Sequence, residues 1–504
     1  MPCMETWRAS WSYPTTLLCA YGFLITVKPL EPFYIPYMTG PDKNFTLEQL
    51  TNVITPVSTY SYLSVLIPIF LLTDWLRYKP TVVLQCSALL TTTAMLLWLG
   101  TVPEMMAVQF FYGMSQAGEV AYFSYIYSVV ELRHYRKATS YCRAAQLTGY
   151  TVGSVLGQLL VSFGLLSNYY ILVFTLVLIG IAWVIAWLLP MPQRSMFFHR
   201  RGSDDKWQLA NDHQTDLEVT KTVEVDEINA KNTSQIKDPV AADPKPDTRG
   251  CSSPDSSMSS VDRGGRQSGT SETRASVSCA GVMVQLWRDF LLCYATPGLL
   301  RWSLWWALAT CGYNLVLNYV QMLWEHIEPS SSFAAYNGGV EAVSSLFGAA
   351  TAYGIGFTKV NWHHWGELAL SSFSAMGGGA LYLMVFSGNI WACYCGYVLF
   401  KCLYMLLITI AMFQIATDLS MERYALIFGV NTFGALVLQT IITLVVIDSR
   451  GLGLDVVTQF IIYGSYYCFI ALVFLVWGVY INVQRRRHTE TPKQDAVVMH
   501  QEHF

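Results

Sequence analysis

Charged residues are scarce in this sequence. Only 13% of the 504 residues are Asp, Glu, Lys or Arg, whereas a soluble globular chain carries about 25%. The net charge of −3 leaves no excess of either sign with which to hold nucleic acid or an acidic partner. Because 53% of the residues are hydrophobic, a nucleic-acid binder and a disordered scaffold are excluded, a soluble enzyme is disfavoured, and a membrane protein is indicated.

The sequence also lacks the motifs of metal, redox and phosphate chemistry. Most of its twelve cysteines lie inside apolar runs, where Cys behaves as a small hydrophobe. Cys393 and Cys395 are separated by a single residue and lack the two-residue gap and second pair of a zinc site. The pattern G-x-x-x-x-G-K-[ST] is absent as well. We therefore expect no metal, no cofactor and no catalytic residue.

Apolar stretches long enough to cross a bilayer are abundant. Crossing about 30 Å of hydrocarbon takes about 20 residues, and the sequence offers about twelve such stretches. They lie near residues 11–30, 53–73, 80–100, 104–130, 141–164, 168–190, 296–324, 336–358, 365–385, 389–417, 424–447 and 457–482. These spans predict an all-α membrane protein.

The segment between the sixth and seventh spans has a different composition. Residues 191–284 are rich in Ser, Asp, Lys, Thr and Gly and cannot bury enough apolar surface to offset the entropy of ordering. This predicts a disordered linker between an N-terminal half at residues 1–190 and a C-terminal half at 285–484, with a similarly disordered tail at 485–504. Two six-helix halves joined in this way are the arrangement of a major-facilitator-type bundle.

Basic residues indicate the orientation of the spans. They follow alternate spans, at Arg77, Lys79, Arg133, Lys359 and Arg485. Loops near residues 101–104, 165–169 and 386–389 contain none. By the positive-inside rule, both termini and the linker are expected in the cytoplasm. Asn44-Phe45-Thr46 is a glycosylation sequon in the first outside loop, and the second sequon, at Asn232, falls in the linker and is expected to stay unmodified.

Polar residues recur at helical spacing inside several spans. The fourth span carries them in steps of three, four and three, at Gln109, Tyr112, Gln116 and Glu119, which places them on one helical face. A charge at the bilayer centre costs on the order of 2.5–3.5 kcal/mol, so we expect Glu119 to face the bundle interior or a wet cavity. Other candidate lining residues are Glu31, Arg143, Tyr150, Asn318, Glu341 and Lys401.

This lining suits a small, flat, cationic solute. Carboxylates supply charge, amides read the edge of a ring, and tyrosine faces add cation–π attraction of about 0.5–2 kcal/mol. Two other interpretations stay open. An ion pair of Glu119 with Lys401 or with Arg143 would hold helices together without binding a solute, and single Asn or Gln residues often join helices. A non-transporting receptor or scaffold that uses the linker is the alternative from another class.

Several motifs resemble the reduced-folate and thiamine carriers, the solute carrier 19 family. They are Glu31–Asn44, Thr73–Pro80, Phe110–Gly113 and Pro190–Phe198, and the resemblance covers nearly every span. Within the family the thiamine branch fits better, since Glu119 and Gln439 stand where the folate carrier has an arginine and a lysine. That charge reversal disfavours a dicarboxylate folate.

The resemblance implies a plasma-membrane carrier, expected to be a monomer, that takes up thiamine by alternating access. It places Glu31, Tyr112, Tyr150, Asn318 and Glu341 at positions that contact the vitamin in thiamine carriers, with Gln109 and Lys401 as further candidates. Ser58 and Thr93 stand in place of tryptophans, and Gln109 stands in place of an acid. The alternative is therefore a carrier of another small vitamin or organic cation, such as pyridoxine, with an altered site.

Overall fold

The computed structural model describes residues 12–130, 132–191, 284–330, 335–355, 362–417 and 421–501, apart from residues 285, 286, 289 and 293. The predicted linker lies outside the described residues except for its two end positions. Its predicted disorder therefore stays a prediction.

Within the described residues, twelve helices have 15 or more residues. The first half contributes α1 (Ser12–Thr26), α2 (Pro56–Trp75), α3 (Lys79–Trp98), α4 (Val102–Val129), α5 (Leu132–Ser162) and α6 (Asn168–Leu188). The second half contributes α7 (Pro297–Ile327), α8 (Asn337–Ile355), α9 (Trp362–Phe386), α10 (Ile390–Thr417), α11 (Met421–Ile442) and α12 (Val456–Gln501). Six of these helices precede the linker residues in the sequence and six follow them.

Seven helical segments of the described chain are long and apolar enough to cross a membrane. They are Leu47–Phe70, Lys79–Trp98, Asn168–Leu188, Trp365–Phe386, Ile390–Ile415, Leu426–Ile447 and Val456–Gln484. The long helices that fall short are α1, α4, α5, α7 and α8. Helix α1 has only 15 residues, and the other four carry the polar residues predicted to line the interior. A helix that exposes such residues to a central space loses mean hydropathy for that reason.

Polar side chains mark where two of the helices begin. At the start of α4, the Gly100 and Thr101 backbone N–H groups donate to Glu104 Oε2 at 3.0 and 2.9 Å, a capping box that satisfies two otherwise unpaired donors. At the start of α12, the backbone N–H and hydroxyl of Thr458 donate to the Asp455 carboxylate at 3.2 and 2.7 Å. These hydrogen bonds hold the pKa of Asp455 below its usual range.

The last helix differs from its sequence prediction. A disordered tail was expected from residue 485, whereas α12 continues to Gln501. Seven of the residues 485–501 are Arg, Gln, Glu or Lys, which have high helix propensity. The prediction of disorder is therefore wrong for residues 485–501.

Connections between the helices alternate between two ends of the bundle. The connection of α1 to α2, at residues 27–55, carries Asn44, and we call its side of the bundle the sequon end. Other loops meet it there: Asn168 Nδ2 donates to Asp42 Oδ2 at 3.0 Å, and Lys43 Nζ donates to the Leu99 carbonyl. The turn between α2 and α3 lies at the opposite end.

Helices α1 and α5 pack through a glycine seam. A Cβ atom on Gly157 would lie 2.0 Å from the Pro29 carbonyl oxygen, and one on Gly149 would lie 2.5 Å from that of Phe23. Gly153 lies equally close to the chain at the end of α1, with a Cβ position 2.9 Å from Lys28 N. The close packing predicted from the spacing of Gly153 and Gly157 is confirmed.

Candidate functional site

A buried carboxylate, that of Glu341 on α8, organises the contact between the two halves. Lys401 Nζ on α10 lies 2.6 Å from its Oε2. The Tyr150 hydroxyl on α5 donates to Oε2 at 2.7 Å, and the Tyr397 hydroxyl on α10 donates to Oε1 at 2.7 Å. Glu341 and Lys401 are each 4% exposed. These four residues are called the Glu341 cluster, and within it the two charges cancel.

The Lys401 ammonium lies between aromatic rings. Its Nζ is 5.3 Å from the ring centroid of Tyr150 and 5.5 Å from that of Tyr397, within the range of cation–π attraction. The alternative in which Lys401 pairs with Glu119 is not what the structure has, because α10 packs directly against α8, and Lys401 pairs with Glu341. The sequence analysis did not single out Tyr397; its one available signal was its position one helical turn before Lys401.

A second lysine–carboxylate pair lies just after α1. Lys28 Nζ is 3.2 Å from Glu31 Oε1 and 5.7 Å from the ring centroid of Tyr112. Gln321 Nε2 on α7 donates to the Glu31 backbone carbonyl at 3.0 Å, so this pair also touches the second half. Lys28 was not predicted, although its spacing of three residues from Glu31 is a signal for such a pair.

The polar stripe of α4 becomes more exposed along its length. Gln109 is buried and its Nε2 donates to the Tyr34 hydroxyl at 3.0 Å. Tyr112 and Gln116 are half-buried, and Glu119 is exposed. Because a carboxylate in hydrocarbon is costly, we infer that this face lines a space that opens towards the end opposite the sequon end.

Glu119 differs from Glu31 and Glu341 in its ionic partners. Among the described side chains it forms no ion pair, so the alternative pair with Arg143 is wrong as well. Arg143 is exposed on α5. Of the three predicted site carboxylates, Glu119 is therefore the one whose charge is not cancelled by a neighbouring lysine.

Two asparagines of α7 have different environments. Asn314 Nδ2 donates to Gln439 Oε1 at 3.2 Å, and Gln439 Nε2 donates to Thr59 Oγ1 at 3.4 Å. These hydrogen bonds join α7, α11 and α2, which is the helix-joining role that the sequence analysis left open for single Asn and Gln residues. Asn318 is half-buried, and within the described chain no hydrogen bond to its side chain is present, so its amide is available to a ligand.

Ser58 and Thr93, the two positions where the resemblance implies tryptophans, are buried. The Ser58 hydroxyl donates to the Thr55 carbonyl at 2.8 Å, and Thr93 Oγ1 donates to the Leu89 carbonyl at 3.0 Å. A Cβ atom on Gly113 would lie 2.4 Å from the Ser58 carbonyl oxygen, so α2 and α4 are in close contact here. Each hydroxyl proton is therefore already engaged within its own helix or the turn before it.

Further hydrogen bonds join the two halves at the sequon end. The Tyr60 hydroxyl donates to Asp448 Oδ2 at 2.6 Å. Asn52 Nδ2 donates to the Gly453 carbonyl at 3.0 Å, and the Ser449 backbone N–H donates to the Asn52 carbonyl at 3.1 Å. Together with the Glu341 cluster, these contacts close the sequon end. Asp448 was not predicted, although an acidic residue directly after an apolar span is a signal for a polar contact there.

Metal chemistry finds no support in the described part of the chain. No group of three or more His, Cys, Asp and Glu side chains there is placed to hold a metal ion. What the polar residues offer is charge, hydrogen bonds and aromatic faces between two helical halves, which is an arrangement for binding and releasing a solute.

Comparison with known proteins identifies the family. The sequence pattern of the reduced folate carrier family matches residues 9–462. The chain belongs to this family. The family predicted from the sequence motifs is confirmed, and the carrier is a multi-pass membrane protein rather than an enzyme.

The thiamine transporters resemble this carrier over almost their full length. Human thiamine transporter 1 is 47% identical over 97% of this chain and 94% of its own, and human thiamine transporter 2 is 45% identical over 100% and 98%. The human reduced folate transporter is 36% identical over 96% and 75%. Residues 359–362 suggest a greater likeness to thiamine transporter 2, but the full-length identities barely separate the two.

Solved structures resemble the carrier in fold. A POT-family transporter aligns with a TM-score of 0.58 at 10% identity, covering 94% of this chain and 96% of its own. The nucleoside transporter NupG aligns with a TM-score of 0.54 at 11% identity, covering 92% and 98%. The predicted major-facilitator-type bundle is confirmed.

Proposed function

We propose that this carrier takes up thiamine across the plasma membrane by alternating access. The exposed Glu119 carboxylate carries the proposal, because it places an uncancelled negative charge on a face lined by a tyrosine. The chain is 47% and 45% identical to two human thiamine transporters and 36% identical to the human reduced folate transporter. This difference supports thiamine rather than folate as the substrate.

The charges of the lining favour a cation over a dicarboxylate. Lys28 pairs with Glu31, and Lys401 pairs with Glu341, so Glu119 is the site carboxylate without an ion pair among the described side chains. A thiazolium ring is attracted to that carboxylate and to the ring face of Tyr112, and the Asn318 amide is available to hydrogen-bond a ring edge. A folate, with two carboxylates, is repelled.

The proposed orientation has the sequon end outside the cell. Both termini and the linker at residues 191–284 are then cytoplasmic, and the plasma-membrane carrier acts as a monomer. The absence of basic residues from three sequon-end loops and the exposed position of Asn44 support this orientation. With the sequon end closed and Glu119 exposed, the described conformation corresponds to an inward-facing carrier.

Uptake of labelled thiamine by cells that express the full chain, against empty-vector cells, tests the proposal. We expect saturable uptake that unlabelled thiamine blocks and unlabelled folate does not. Absence of uptake from a carrier that is present at the cell surface would refute thiamine as the substrate.

A second candidate is another small vitamin or organic cation such as pyridoxine. It is favoured by Gln109, a neutral amide hydrogen-bonded to Tyr34 where the resemblance implies an acid in thiamine carriers. If pyridoxine is the substrate, unlabelled pyridoxine will block uptake more strongly than thiamine does. The variant Gln109→Glu will then shift the preference towards thiamine.

A further inference from the structure

The Glu341 cluster is a cation site that is already filled by the chain. One carboxylate and two tyrosine rings surround the Lys401 ammonium, and Ser345 Oγ lies 3.4 Å from Nζ. A carboxylate flanked by aromatic faces is the chemistry that recognises an organic ammonium or an aromatic cation. The described state therefore has the chain's own cation where a transported cation would be attracted.

The Glu341 cluster is shared between the two halves. Glu341, Lys401 and Tyr397 belong to the second half, and only Tyr150 comes from the first. Tyr150 is also the member that is half-buried, whereas the other three are buried. The Glu341 cluster is thus complete only while α5 lies against α8 at the sequon end.

Contacts beside the Glu341 cluster have the same dependence on closure. Gln158 Nε2 donates to the Ala335 carbonyl at 3.1 Å, and the Gly339 backbone N–H donates to Gln158 Oε1 at 3.0 Å. A Cβ atom on Gly338 would lie 2.6 Å from the Ser154 carbonyl oxygen. Opening the sequon end separates these groups and removes Tyr150 from Glu341.

Closing the sequon end buries the Glu341 carboxylate, and a buried charge needs a partner. We infer that Lys401 is the tethered cation that pairs with Glu341 whenever the carrier is empty, so that the empty carrier can close its sequon end and return for another substrate. This inference rests on the proposed transport of a cation. When the sequon end is open, a substrate cation competes with Lys401 for Glu341. The sequon end can close when either cation is paired with Glu341.

If Lys401 has this role, its removal should affect net uptake and exchange differently. Net uptake requires the empty carrier to change sides, whereas exchange of labelled for unlabelled substrate requires only the loaded carrier to do so. Removing the tethered cation with Lys401→Gln leaves Glu341 unpaired in the empty carrier alone. Net uptake should therefore fall at least about tenfold more than exchange does, as expected when an empty state becomes disfavoured by one charge pair.

The experiment uses the full chain in vesicles, with labelled thiamine outside and either no substrate or unlabelled thiamine inside. Lys401→Arg keeps a cation at this position and should restore most of the net uptake. The double variant Glu341→Gln/Lys401→Gln has neither charge to bury, so it should also recover net uptake, with a raised KM. An equal loss of net uptake and exchange in Lys401→Gln, or a double variant no better than the single one, would overturn the inference.

A labelling measurement tests the inference independently of the substrate. Gly339→Cys adds a thiol beside Gln158 at the sequon end, where its Cβ lies 3.9 Å from Gln158 Oε1. Reaction with a membrane-impermeant maleimide, compared with the parent chain, reports how often that end opens. In the Lys401→Gln background the reaction should become several-fold faster, and an unchanged rate overturns the inference. If the wild-type chain transports no thiamine yet labelling follows this pattern, the proposed substrate fails and the role of Lys401 stands.

Discussion

The Tyr60 hydroxyl donates a 2.6 Å hydrogen bond to the Asp448 carboxylate, and 388 residues separate the two in the chain. Tyr60 lies near the start of α2, and Asp448 follows α11, so the bond ties the two halves at the sequon end. Asp448 also accepts the Arg450 backbone N–H at 2.8 Å, which fixes the orientation of its carboxylate. The bond is made only when this end is closed.

We predict that Tyr60→Phe shifts the carrier towards an open sequon end. A hydrogen bond to a charged group contributes about 1.5–3 kcal/mol, so the ratio of open to closed carrier should rise by about tenfold or more. Distances between spin labels on the sequon-end loops of the two halves would measure the shift. Ser64→Ala on the same helix is the matched control, since its hydroxyl donates only to the Tyr60 carbonyl. Equal distance distributions in the two variants would contradict the prediction.

Replacing Glu119 by Gln should reduce uptake by about tenfold or more, because one uncancelled charge that attracts the cation is lost. The side chain keeps its size, so the amount of carrier at the cell surface should not change. Glu104→Gln is the control on the same helix: Glu104 caps α4 at the sequon end, and Gln can also serve in a capping box. Uptake by Glu119→Gln at the level of Glu104→Gln would refute the role of Glu119.

Asn44→Gln should remove a glycan and increase the electrophoretic mobility of the carrier. Asn44 is exposed, and its loop is expected outside the cell. The control is Asn232→Gln, which alters the linker sequon and should leave the mobility unchanged. A mobility change with Asn232→Gln and none with Asn44→Gln would mean that the orientation is inverted.

A thiol pair at the interface of α1 and α5 should form a disulfide under mild oxidation. The Sγ atoms of Cys19 and Cys142 are 3.8 Å apart, and a modest approach brings them to the about 2.05 Å of an S–S bond. Oxidation by molecular oxygen with a copper catalyst, followed by cleavage at Arg77 and non-reducing electrophoresis, should leave the two fragments linked. Cys19→Ser should abolish the link, and Cys86→Ser should not. Fragments that separate in the parent chain would contradict the described packing of these helices.

The sequence predicted the fold well because apolar length alone encodes most of it. About twelve spans were found from apolar length, and the polar stripe of α4 showed the periodicity of a helix that faces inward. The close contact of α5 with α1 was also readable, since Gly153 and Gly157 recur at a spacing that brings backbones together. These features are local, so a single sequence contains them.

Pairs between distant helices could not be predicted in the same way. The sequence offered Glu119 as a possible partner of Lys401, whereas the packing of α10 against α8 places Lys401 on Glu341. Tyr60 and Asp448 gave no local sign of their contact for the same reason. The stripe of α4 was predicted, but its gradient from buried Gln109 to exposed Glu119 depends on which end of the bundle is closed.

The glycine seam between α1 and α5 limits where the carrier can bend. At Gly149 and Gly157 the two chains touch backbone to backbone, so a sliding or tilting motion between these helices has no side chains to absorb it. We therefore expect helices α1 and α5 to move together in the transport cycle, so that opening the sequon end separates α5 from α8. A movement of α1 and α5 then moves Tyr150 by the same amount, because Tyr150 lies on α5 about one turn before Gly153.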